Sequence, residues 1–118
     1  MINIFSSSRY KITKPNLEKF AQAQLDKHHV ARTSALNIAF VGKRKMKAIA
    51  LQYKNEDVAL PVLSFSYLRD PISSTDNVIG EVVICYPQAV LLAAEREKRV
   101  EPMLNQLIEH GIQNIFLK

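Results

Sequence analysis

The sequence of 118 residues holds a single cysteine, Cys85. One thiol excludes an internal disulfide framework and any cysteine-rich zinc module, and it suits a reducing compartment. Glycine is also scarce, limited to Gly42, Gly80 and Gly111. No phosphate-cradling P-loop, G-x-G-x-x-G pattern, nucleophile elbow or acidic pair can be found. Long apolar runs are missing as well. The longest stretch without an acidic or basic residue, Val82 to Ala94, is interrupted by Pro87 and falls short of the ~20 apolar residues that span a bilayer. The opening Met1-Ile2-Asn3-Ile4-Phe5 lacks the basic leader and apolar core of a secretory signal. The expectation is a soluble, cytoplasmic protein without a membrane partner.

What is present suffices for one domain, residues 1–118. With 47% hydrophobic and 23% charged residues, a chain of this length buries enough surface to fold without a metal or a disulfide. The net charge of +5 is unevenly placed. Residues 1–54 carry eleven lysines and arginines against Glu18 and Asp26, a balance of +9, whereas residues 55–118 stand at −4. The basic half can meet a polyanion; an uneven solvated surface is the plainer reading.

Periodicity sets the order of elements. Ile2 to Phe5 alternates as a short strand, and Pro15 opens a helix whose Leu17, Phe20, Ala21, Gln24, Leu25 and His28 fall at helical spacing. Ala35 to Val41 then alternates with period two, setting Leu36, Ile38 and Phe40 against Asn37, Ala39 and Val41. Met46, Ile49, Ala50 and Tyr53 mark a second helix. Pro61 to Leu68 and Val78 to Cys85 read as strands, separated by a turn-rich loop from Asp70-Pro71 to Asp76-Asn77. Pro87 opens a third helix to about Lys98, and Glu101-Pro102 opens a fourth with Leu104, Leu107, Ile108, Gly111 and Ile115 on its apolar stripe. The order β-α-β-α-β-β-α-α implies an α+β domain, a mixed four-stranded sheet packed with about four helices. The last two helices need not share a face.

Three groups of residues can carry chemistry. Lys43-Arg44-Lys45-x-Lys47 lies where the second helix starts, and cations there oppose the helix dipole. Neutralising phosphates would compensate; a solvated helix face is the alternative. His28-His29 closes the first helix, where histidine suits the dipole and no converging ligands are evident. His110 sits beside Gly111, an interior helical glycine of the kind that permits close backbone approach. Positions 110 and 114 share a helix face, where two histidines would chelate a metal, but the second position is Asn114. Cys85 reads as a small buried hydrophobe.

Leu36-Asn37-Ile38-Ala39-Phe40-Val41, the helix ending Leu51-Gln52-Tyr53-Lys54, Val62-Leu63-Ser64-Phe65, Gly80-Glu81-Val82-Val83-Ile84 before Pro87, and His110-Gly111 occur in one order. In that order and spacing the chain, from about residue 36 to 118, resembles the bacterial YbeY proteins, rRNA maturation factors described as metal-dependent endoribonucleases. The resemblance implies a zinc site of three histidines in an H-G-x-x-H-x-x-G-x-D-H motif. His110 matches the first ligand, Asn114 stands at the second, and Lys118 precedes the segment of the third, so the motif reads as degenerate and C-terminally shortened. Lys54 replaces the family's arginine, keeping charge without the bidentate fork. Leu60-Pro61 replaces a Thr-Asp pair.

Three functions follow. The preferred one is a YbeY-like ribosome biogenesis factor with no cofactor, its zinc site unformed. It would bind small-subunit rRNA or assembly intermediates, alone or with other biogenesis proteins, through Lys43, Arg44, Lys45, Lys47 and Lys54. The second is an endoribonuclease with an altered site, in which Lys54 stabilises phosphorane charge and His110 acts as base or as ligand. The third is a protein-interaction module without RNA contact.

Overall fold

A computed structural model of the chain describes residues 1–68 and 77–117. The elements follow the expected order: β1 (Ile2–Phe5), α1 (Lys14–Lys27), β2 (Ala35–Val41), α2 (Lys43–Lys54), β3 (Val62–Ser66), β4 (Val78–Cys85), α3 (Tyr86–Glu95) and α4 (Val100–Leu117). The strands form one mixed sheet in the spatial order β1-β2-β4-β3, with β1, β2 and β4 parallel and β3 antiparallel to β4 at the edge. The turn-rich loop expected before β4 lies outside the described residues, apart from Asn77. No helix among the described residues is long and apolar enough to cross a membrane.

Successive side chains of a strand point to opposite faces, and this alternation divides the core in two. Leu36, Ile38 and Phe40 of β2 join Val82 and Ile84 of β4 beneath α1, α3 and α4. On the other face Val41, Leu63, Val83 and Cys85 pack with Met46 and Ala50 of α2. The two final helices therefore do share a face, contributing Ala89 and Ala93 from α3 and a longer stripe from Met103 to Ile115 of α4. At roughly 1.5–3 kcal/mol for each fully buried aliphatic side chain, this three-helix layer supplies most of the burial energy.

Element ends differ from the sequence reading for local reasons. The ladder of β3 is two residues shorter than Pro61–Leu68 at its far end and one shorter at its start. Single hydrogen bonds still extend it, from Cys85 N–H to the Pro61 carbonyl and from Tyr67 N–H to the Ile79 carbonyl, each 2.9 Å. α3 stops at Glu95 and not near Lys98, because Glu97 turns left-handed (φ 54°). Its N–H and that of Lys98 then close the helix end on the carbonyls of Ala94 and Ala93. Pro15 and Pro87 occupy first turns, where a missing N–H is harmless.

Two glycines allow α4 to lie directly on the sheet. A Cβ on Gly111 would stand 2.6 Å from Val82 Cγ1, and one on Gly80 would stand 2.5 Å from the Phe65 carbonyl oxygen and 2.9 Å from Ile115 Cδ1. Both positions exclude a side chain at that packing distance.

Candidate functional site

The seat of α4 fixes where His110 points. Ser64, buried on β3, donates its hydroxyl to the Gly111 carbonyl at 2.8 Å, tying the helix to the edge strand. His110, one residue earlier, is turned outward and exposed. It lines a cleft of about 530 Å³ between α4, α3 and the segment entering β3. Leu60, Pro61 and Val62 form one apolar wall, while Gln106, Glu109 and Gln113 of α4 and Arg96 after α3 contribute polar groups. The wall is held in place: Gln88 Nε2 donates to the Ala59 carbonyl at 2.7 Å, and Pro61 accepts from Cys85.

The polar groups do not suit a zinc ion. A hydrolytic zinc site takes three nitrogen, sulfur or carboxylate ligands and leaves a position open for water. Here His110 and Glu109 share the cleft with two carboxamides, which are poor zinc ligands. Asn114 is half-buried and outside the cleft lining. Among the described residues no three His, Cys, Asp or Glu side chains gather. His28 is engaged elsewhere, stacked on Phe116 with ring centroids 4.4 Å apart at the end of α1, and His29 follows it in a left-handed turn (φ 59°).

The basic cluster occupies the opposite side of the sheet. α2 begins at Lys43 with Gly42 as its N-cap and no acid in its first turn, so Lys43, Arg44 and Lys45 all face the dipole's positive end. Each such placement is unfavourable by about 0.3–1 kcal/mol. Lys43, Arg44 and Lys47 border a shallow depression with Asp57, Val58 and Ala59. Lys47 meets Asp57 at 3.7 Å, an exposed pair that contributes little to stability. Lys54 ends α2 just before Asn55, which takes the left-handed conformation (φ 55°) that closes the helix. It borders neither the depression nor the cleft, so neither of these brings Lys54 to His110.

Cys85 lies beneath α2, where burial pushes its thiol above the ordinary 9.0. A buried, protonated thiol is unreactive. Gln106 and Gln113 carry a signal in the sequence, lying one turn before and one turn after His110 on the same helix face. Arg96 carries none, because only the packing of α3 on α4 brings it there.

A model of the family described as endoribonuclease YbeY matches residues 3–115. The chain belongs to that family. It is 29% identical to endoribonuclease YbeY of Dehalococcoides mccartyi over 98% of this chain and 75% of the relative. It is 31% identical to the Janthinobacterium YbeY over 86% of this chain, and 34% identical to that of Cupriavidus pinatubonensis over 67%. The chain spans 62% and 38% of those two relatives. The solution structure of a Thermotoga maritima protein has the same fold, with a TM-score of 0.67 and 23% identity over 98% of this chain and 71% of that one. Two YbeY-like motifs thereby acquire a physical link, since Ser64 of Val62-Leu63-Ser64-Phe65 holds Gly111 of His110-Gly111.

Proposed function

We propose that this YbeY-family chain acts in rRNA maturation in the cytoplasm by binding single-stranded RNA or the small subunit, without the family's three-histidine zinc hydrolysis and without another cofactor. The observation that carries the reading is the cleft itself. His110 stands there among carboxamides, while α2 keeps its cations at an electrostatic cost to the helix that phosphate contact would offset. Lys43, Arg44, Lys45, Lys47 and Lys54 are all exposed, and in this reading they neutralise phosphates. The names of its relatives, endoribonuclease YbeY, supply the RNA.

With four or five phosphates neutralised, log affinity for single-stranded RNA falls against log salt with a slope of about −3. Anisotropy of a labelled single-stranded RNA between 50 and 200 mM salt reads this slope, where both limits are typical assay conditions. A flat line, or no binding at low salt, overturns the proposal. A second reading, an altered nuclease, is favoured by one observation: Arg96 brings a guanidinium into the same cleft as His110. Zinc-independent RNA cleavage abolished by His110→Ala would establish it.

A further inference from the structure

We infer that the cleft beside His110 receives a single unstacked nucleobase of the bound RNA, a role that rests on the RNA-binding reading above. Four observations converge on that ligand. The cleft is about 530 Å³, within the ~300–1,000 Å³ of small-molecule sites. Its Leu60-Pro61-Val62 wall is apolar, suited to the face of a planar ring. The α4 side offers groups that read base edges, the carboxamides of Gln106 and Gln113 and the Glu109 carboxylate, and adds the His110 ring as a stacking partner for the base's face. At the rim, Arg96 offers a fork for the attached phosphate.

Two features orient the site. Lys98 donates to Gln106 Oε1 at 2.9 Å, which fixes the amide so that its NH₂ remains to donate. One segment also serves both surfaces. Asp57, Val58 and Ala59 border the basic depression, and Leu60, Pro61 and Val62 form the cleft wall. At ~3.3–3.6 Å per residue, no more than about 11 Å of chain separates Val58 from Pro61. An RNA strand with phosphates on Lys43 and Arg44 would follow this segment round the edge of the sheet at β3 to reach the cleft, where one base can turn in. Unstacked bases held this way are the usual units of sequence-specific RNA recognition.

The test uses the full chain and two sets of probes. The four ribonucleoside monophosphates are titrated beside ribose 5-phosphate, with amide shifts read by NMR. A short single-stranded RNA is then compared with the same strand carrying an abasic residue at each position in turn. The expected results are shifts at His110 and Gln113 on nucleotide addition, at least about tenfold weaker binding of ribose 5-phosphate, and a similar loss for one abasic position. Gln113→Ala should remove the preference and Arg96→Ala should weaken nucleotide and ribose 5-phosphate alike, both at exposed sites and with circular dichroism unchanged. Equal binding of nucleotides and ribose 5-phosphate, or shifts confined to α2, overturns the pocket even if the strand binds with a steep salt slope. Nucleotide shifts in the cleft without strand binding would uphold the pocket and overturn the RNA-binding function.

Discussion

The two sides of α4 differ in what holds them, although they alternate along one helix. The inward side, with Leu104, Ile108, Gly111, Ile112 and Ile115, is buried on the sheet and relies on a glycine at the helix crossing, a second glycine on β4 and a serine on the edge strand. The outward side carries His110 and then Gln113 and Asn114 where a chelating set would need further histidines. The inward positions answer to packing that spans α1, α3 and β4, so each substitution there is felt across the domain. An outward, solvated position has no such constraint, and a ligand can be exchanged while the helix stays seated. Scaffold and chemistry are separable at a spacing of one residue.

Substitutions on the inward side should give the largest effects. Ile112→Ala removes a fully buried side chain from the α4–sheet contact and should lower stability by about 2–5 kcal/mol, read as a shift of the urea midpoint. An effect under 1 kcal/mol, on the order of a surface substitution, would mean that α4 is not seated as described. Ser64→Ala should cost less, about 1 kcal/mol, because the Gly111 carbonyl lies within a helix and loses one partner of two. His110→Ala, one residue from that bond but exposed, should stay within roughly 0.5 kcal/mol of the parent protein. Equal losses for Ser64→Ala and His110→Ala would erase the distinction between the two sides.

A further small effect sharpens the comparison by moving to α2. Lys43→Glu places an acid in the first turn and should raise stability by about 0.3–1 kcal/mol while weakening RNA binding. Opposite signs in the two assays would show that the cation is kept at the expense of the helix. Parallel changes would leave α2 as an ordinary solvated face.

Much of this was legible in the sequence, and the reasons are specific. β2 could be read because Leu36, Ile38 and Phe40 alternate with smaller or polar residues, and α1 and α3 because a proline marks each first turn. Gly111 was readable as a close approach because a glycine in mid-helix needs a reason. The partners of that approach were not, since Ser64 and Val82 reach it only through the register of β3 on β4. The end of α3 was missed because Arg96, Glu97 and Lys98 are ordinary helix formers, and the left-handed turn at Glu97 has no residue signal of the glycine kind. The basic residues were found where the charge run placed them, but their separation from His110 was hidden. Which face of a sheet a helix covers depends on strand order, and β1-β2-β4-β3 is not the order of the chain.

The most direct test of the separation is the metal content of the 118-residue protein after exposure to zinc and exhaustive dialysis, measured by elemental mass spectrometry. Zinc well below one equivalent per chain, unchanged in His110→Ala, is the result predicted by the proposal of a cleft without a zinc ligand set. About one zinc per chain, lost in His110→Ala, would contradict the account and return the cleft to metal-dependent hydrolysis.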